Sequence, residues 1–229
     1  MKRLLSIIAV LALAYSGYAK DKEEGFVSLF DGKTLKGWTT NGGQPMQKGW
    51  VVKDGTLYRE SRGGDIFAAK SYANFDFRID WKVAAGSNSG IKYRFTKYTK
   101  PSNGPEYQVL DDDKHPDAKK GDGQRKAACL YDIMAANTKG ILKPVGEWNS
   151  SRIVANGPRV EHWLNGKKVL EYDTSTEAWK KAVAASKFRG FKPLYGTIHS
   201  GRIMLQDHSD PVWYRNIRIK VLPDSSKKK

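Results

Sequence analysis

The chain has 229 residues, with 40 Lys and Arg against 24 Asp and Glu, a formal net charge of +16 and a single cysteine. One cysteine excludes an internal disulfide, so a chain of this size must be held by its core. So basic a balance suits nucleic acid in a cytosolic protein, but here the lysines are spread along the chain rather than gathered in one motif, and acidic glycans or anionic envelope surfaces are the better-matched partners.

The first 19 residues read as a secretory leader. Lys2 and Arg3 precede an apolar run from Leu4 to Ala14, too short to span a bilayer, and Gly17-Tyr18-Ala19 supplies small residues for cleavage. No cysteine stands directly behind the run, which argues against a lipid anchor. The expected organisation is a signal peptide over 1–19 and one domain over 20–229, with 229 − 19 = 210 residues. Removing Lys2 and Arg3 lowers the charge from +16 to +14. The expected compartment is the periplasm or the exterior, with no membrane span.

Strand signals then dominate. Trp50-Val51-Val52 and Thr56-Leu57-Tyr58 flank Lys53-Asp54-Gly55 as a hairpin. The stretch from Phe75 to Val83 alternates apolar and charged residues without a break, as a strand with one buried face does. Further strands are predicted over 91–96, 106–110, 130–134, 148–155, 202–206 and 213–221. A second hairpin joins 160–164 to 167–172 through Asn165-Gly166, a pair favoured in tight reversals. Polar loops are expected at 101–105 and 111–123. One helix fits 176–187, with Thr176 as N-cap and Trp179, Val183 and Ala184 at helical spacing. About a dozen short antiparallel strands with a single helical insertion predict an all-β sandwich or jelly roll of two packed sheets.

Two of these strands carry polar residues where a purely structural strand would hide apolar ones. In Glu106-Tyr107-Gln108-Val109-Leu110-Asp111, Glu106 and Gln108 share a face; in Met204-Leu205-Gln206-Asp207-His208, Gln206 and His208 share one. Val109, Leu205 and Ile203 point the other way. An acid, amides and an imidazole gathered on one face are costly unless something polar binds there, and for an exported all-β domain that ligand is expected to be a sugar. Arg94, on the face opposite Ile91, Tyr93 and Phe95, could clamp a carbonyl or carboxylate. Glu106 with Asp111 could form the carboxylate pair of ordinary glycoside hydrolysis. Asp111-Asp112-Asp113 lacks the calcium-loop spacing, and His208 has no second histidine at zinc-ligand spacing, so no metal is assigned. No nucleophile elbow, phosphate loop or dinucleotide fingerprint occurs, and no cofactor is expected. Trp50, Trp81 and Trp163 read as core. Trp38, Trp148 and Trp213 stand near turns or strand starts, where an indole can stack on a sugar, and Trp148 is the preferred one. Cys129, beside Ala128 and Leu130, reads as a buried inert thiol.

A run of motifs in order carries a resemblance. The segment from Phe26 to Trp38 (FVSLFDGKTLKGW) opens it. Trp50-Val51-Val52-Lys53-Asp54-Gly55, Asn88-Ser89-Gly90, Glu106 to Asp111, and Glu147-Trp148-Asn149 follow. Leu164-Asn165-Gly166, Leu205-Gln206-Asp207-His208 and Arg215-Asn216-Ile217 complete it. The chain resembles the 3-keto-disaccharide hydrolase family from about residue 25 to residue 222. The resemblance implies a concanavalin A-like jelly roll acting on sugars already oxidised at C3 by a partner sugar 3-dehydrogenase, with cleavage by hydrolysis or by elimination and hydration. A C3 ketone acidifies the C2 proton, so one base, a group to hold the enolate oxygen and an acid for the leaving group suffice. On this reading Arg94 or Arg215 meets the enolate and His208 or Glu106 is the base. Asp111 is acid or orienting carboxylate, and Asn88, Gln108, Gln206 and Trp148 bind substrate. The competing readings are a non-catalytic carbohydrate-binding module, which needs amides and aromatics but no titrating group, and an ordinary glycosidase using Glu106 and Asp111.

Overall fold

The computed structural model describes residues 24–96, 104–191 and 193–223. The expected leader over 1–19 and most of the expected loop at 101–105 lie outside the described residues. Thirteen strands are present among the described residues: β1 (Val27–Ser28), β2 (Trp38–Thr39), β3 (Trp50–Lys53), β4 (Thr56–Arg59), β5 (Ile66–Tyr72), β6 (Phe75–Val83), β7 (Asn88–Phe95), β8 (Glu106–Leu110), β9 (Asn149–Asn156), β10 (Arg159–Leu164), β11 (Lys167–Asp173), β12 (Gly201–Leu205) and β13 (Val212–Val221). One α-helix is present among the described residues, α1 (Glu177–Ala185), and it starts where Thr176 Oγ1 accepts the Trp179 amide at 3.1 Å.

The strands form two antiparallel sheets. The larger runs β11-β10-β9-β6-β13-β4-β3, with β1 on β13, and the smaller runs β2-β5-β12-β7-β8. Both hairpin turns form as their residues require, with Asp54-Gly55 and Asn165-Gly166 in the left-handed region. Between the sheets, Trp50, Leu57, Phe77, Ile79, Trp81, Ile153 and Tyr214 of one meet Ile66, Ile91, Tyr93, Tyr107, Val109, Ile203 and Leu205 of the other.

The core also contains a satisfied polar chain. The His162 ring nitrogen Nδ1 lies 2.9 Å from the Ala128 carbonyl, so it carries the proton and donates. His162 Nε2 then accepts from Tyr93 Oη at 2.7 Å, and Tyr93 Oη accepts from Tyr172 Oη at 2.7 Å. Burial pulls the His162 pKa down to about 4, which keeps the ring neutral.

Several expectations change. Residues 130–134 form a turn, with Asp132 left-handed and Leu130 and Met134 exchanging both backbone hydrogen bonds at 3.0 Å. β5 was not foreseen, because Ile66-Phe67-Ala68-Ala69 has no alternation to read. Trp163 is half-exposed on the outer surface rather than in the core, while Trp38 is buried with its indole N–H on the Leu29 carbonyl. Cys129 is buried, and burial pushes its thiol pKa well up.

Candidate functional site

Strand register assembles a polar floor on the outer face of the smaller sheet. Since Ile91, Tyr93, Tyr107 and Val109 face the core, alternation sends Asn88, Gly90 and Lys92 of β7 and Glu106 and Gln108 of β8 the other way. One row across four strands reads Phe67, Met204, Lys92, Glu106, each directly opposite the next. The neighbouring row holds Gly90 opposite Gln108, with the Gln206 backbone N–H on the Gly90 carbonyl at 2.9 Å and the Asn88 side chain next along β7. The floor therefore passes from an apolar end to a charged pair and two amides.

Glu106 is the centre of this face. It is 4% exposed, and Lys92 Nζ lies 3.5 Å from its Oε2. Its carboxylate lies across Gly90, where a Cβ would stand 2.2 Å from Oε1; the glycine is what leaves room for it. Gln108 Oε1 and Asn88 Oδ1 are buried with no hydrogen-bond partner. Buried carbonyl oxygens left unmatched are uncommon in folded proteins and mark places where a ligand or water completes the set.

Charged groups missed by the sequence reading gather around Glu106. Asp65, just before β5, accepts the Asp207 amide at 2.9 Å. Burial raises its pKa against the opposing Asp207 amide and Lys92, and the Asp207 and Glu106 carboxylates add to the rise. Lys187 lies 4.0 Å over the Tyr131 ring. Burial lowers its pKa, opposed by Asp132 and Glu106. Lys92 was legible, since it shares a strand face with Asn88 and Gly90. Asp65 and Lys187 had no local signal, because they arrive from distant segments.

The other predicted residues divide. Gln206 is held beside the face by its backbone N–H, which donates to the Gly90 carbonyl. His208 lies past the end of β12, its side chain 46% exposed, with Nδ1 3.5 Å from Asp210 Oδ2. Asp210 in turn accepts the Asn88 amide at 3.0 Å, so His208 borders the Asn88 end of the floor. His115, His208 and Asp210 bring ligand-type atoms within 4.8 Å of one another. However, His115 Nδ1 accepts the Asp117 amide at 3.1 Å, so the ring presents an N–H rather than a lone pair at Nε2.

Arg94 does not reach the floor. It adopts φ 51° at a bulge, and its guanidinium is buried on the carbonyls of Ala73 and Gly157 at 2.9 and 2.8 Å. Asp111 is likewise a structural residue. Burial pushes its pKa up, but the amides of Gly86, Asp113 and Lys114 outweigh that and hold it below the usual range. Trp148 and Arg215 stack at 4.0 Å, beside Lys82, whose strand β6 belongs to the larger sheet. They lie on that sheet's outer face, away from Glu106. A cleft of about 620 Å³ opens at the end of the sandwich beside Asp111, Asp112 and Lys143. Its inner carboxylates are committed to amides, including Asp112 to that of Ala127 at 2.7 Å. The coupled charges and unmatched oxygens mark the sheet face instead.

Comparison with known proteins bears on the family and the fold. Residues 25–220 match the family described as the 3-keto-alpha-glucoside-1,2-lyase-like domain. The chain is 40% identical over 230 residues to the 3-keto-disaccharide hydrolase of Bacteroides thetaiotaomicron, covering 87% of this chain and 79% of that protein. A crystal structure described as that of a candidate glycosyl hydrolase from Parabacteroides distasonis superposes with a TM-score of 0.80 at 37% identity, covering 88% of this chain and 96% of that one. A second such structure from the same organism gives 0.68 at 29% identity, covering 87% and 100%.

Proposed function

The chain belongs to the 3-keto-alpha-glucoside-1,2-lyase-like domain family, and from that premise we propose that it is an exported enzyme breaking the glycosidic bond of sugars that carry a ketone at C3. The observation that carries this reading is the buried Glu106–Lys92 pair on a floor with two unmatched amide oxygens.

The chemistry follows from the arrangement. Glu106 takes the C2 proton, and the C2–H electrons move into the C2–C3 bond as the C3 oxygen becomes an enolate. The Lys92 ammonium, one strand away, stabilises that oxygen. The enolate collapses back to the ketone as C1=C2 forms and the C1–O bond breaks. Asp65, biased towards its neutral form by burial, gives the departing oxygen its proton. Water adding across C1=C2 completes a net hydrolysis. Asn88, Gln108 and Gln206 hold hydroxyls, and Phe67 and Met204 offer an apolar surface to the C–H face of the ring. Glu106 rather than His208 is the base, because it stands beside the cation that receives the charge, whereas His208 is half-exposed at the border. The substrate's ketone requires a sugar 3-dehydrogenase upstream, and the basic start and short apolar run of 1–19 support a periplasmic or extracellular setting.

The test is to incubate the protein with a 3-keto-glucoside, and with its unoxidised parent, in deuterated water. Cleavage of the ketone alone, with deuterium appearing at C2, is expected. Equal cleavage of the parent sugar would point to an ordinary glycosidase, and binding without cleavage to a carbohydrate-binding module.

A further inference from the structure

The row of side chains across the smaller sheet extends one residue beyond Glu106. Leu130 pairs with Tyr107 in the core, and the Tyr131 N–H donates to the Glu106 carbonyl at 3.0 Å. Alternation therefore turns Tyr131 to the outer face, next in line after Lys92 and Glu106. Two cations rest on its ring, Arg125 at 5.5 Å and Lys187 at 4.0 Å.

The charges at this end do not balance. Arg125, Lys120 and Lys187 stand against Asp117 and Asp132, three cations to two carboxylates, and all four carboxylate oxygens are taken. Asp117 Oδ1 accepts from Arg125 Nη1 at 2.9 Å and lies 3.5 Å from Lys120 Nζ, while its Oδ2 accepts from Tyr131 Oη at 2.8 Å. Asp132 Oδ1 accepts from Arg125 Nε at 2.8 Å, and its Oδ2 accepts the Lys187 backbone N–H at 2.8 Å. Among the described residues the Lys187 ammonium is left with no ion-pair or hydrogen-bond partner, only the rings of Tyr131 and Phe188. Burial works against its charged form, while the Asp132 and Glu106 carboxylates work for it. Glu106 and Lys92 both act on it, which sets the ammonium within electrostatic reach of the floor's ion pair.

We propose that Lys187 is a specificity-determining residue that binds a carboxylate on the substrate, so that the site favours acidic 3-keto-glycosides over neutral ones. The inference rests on the reaction proposed above and names its substrate class. Lys92 cannot serve this purpose, because Glu106 already occupies it; that same pairing keeps Glu106 from repelling an incoming anion. Lys187 is held by its backbone and by the Tyr131 ring, so ordering it around a ligand costs little freedom. An ammonium is a compact charge with three donors and accepts a carboxylate from a range of directions. The carboxylate can stand at C6 of the oxidised sugar or on the leaving group, and the experiment separates these two sources.

The experiment compares phenyl 3-keto-glucuronide and 4-carboxyphenyl 3-keto-glucoside, each beside its own primary amide as the neutral counterpart. Wild type should prefer one of the two acids over its amide by about tenfold in kcat/KM, chiefly through KM. Lys187→Met and Lys187→Gln should lose that preference, and Lys187→Arg should keep it. Two neutral variants are used so that a folded one, identified by an unchanged melting transition, is in hand. Isothermal titration with the unoxidised acids and amides keeps this inference apart from the reaction. If no ketone is cleaved the reaction fails, and tighter binding of an acid that disappears in the neutral variants still upholds the role of Lys187. The proposal is overturned if wild type favours neither acid, or if a folded neutral variant retains the preference.

Discussion

Lys92 and Glu106 are direct cross-strand partners on β7 and β8, their charged ends 3.5 Å apart and their side chains 16% and 5% exposed. The pairing gives the proposed base and the group that receives the developing negative charge a common, rigid mount. Replacing either should therefore abolish catalysis without dismantling the sandwich. Glu106→Gln and Lys92→Met are each expected to lower turnover of a 3-keto-glucoside by about 100-fold or more. Glu106→Gln should also stop deuterium exchange at C2, read by NMR; exchange at the wild-type rate would remove Glu106 from the role of base.

Asp65 must be protonated to serve as the acid. Its pKa is raised, chiefly by burial, so activity should fall as pH rises through that raised value. Asp65→Asn should slow cleavage of substrates with poor leaving groups far more than those with good ones. A uniform effect across leaving groups would show that Asp65 only shapes the floor.

Gly90→Ala tests the space under Glu106. The added Cβ would meet Oε1 at 2.2 Å, and the flexible end of Glu106 can swing aside. Stability should thus change by only about 1 kcal/mol, while displacement of the carboxylate lowers turnover by about 100-fold. Thermal melts and initial rates on the same sample separate the two effects.

Arg94→Ala should behave in the opposite way. Its guanidinium satisfies the carbonyls of Ala73 and Gly157 inside the fold, and its removal leaves both without that donor. A loss of about 3 kcal/mol in urea unfolding is expected, with kcat/KM unchanged at temperatures where the variant is folded.

His162 predicts a pH dependence of stability. Its pKa is about 4 in the fold against an ordinary 6.5, lowered mainly by burial. The unfolded chain therefore binds the proton first as pH falls. The stability is fully present above pH 6.5 and is lost progressively between 6.5 and about 4. The difference amounts to about 3 kcal/mol. Stability curves of wild type and His162→Phe, measured by denaturant unfolding across that range, should differ in slope by one proton.

Part of the site was legible because strand alternation is local. Glu106 and Gln108 share a face wherever the strand sits, and the same rule places Lys92 with Asn88 and Gly90. The rule failed at Arg94, because the left-handed residue at the bulge interrupts alternation. Phe95 then clusters with Phe67 and Met204 instead of following Tyr93 into the core, and the guanidinium turns into the fold. Asp111 looked reactive because a carboxylate after a strand resembles an acid; its three backbone donors become visible only when the loop closes around it. Trp148 and Arg215 were assigned to the floor because nothing local states which sheet a strand joins.

The amino-acid order by itself determined most of the longer strands, the turns at Asp54-Gly55 and Asn165-Gly166, the capped helix and the pairs of side chains that share a face, since each depends on neighbours a few residues apart. Only the tertiary structure decided which strands became neighbours, and so brought Asp65, Lys92 and Lys187 to Glu106. Those are contacts between segments far apart in the chain, fixed by burying one face of each sheet against the other rather than by any local preference.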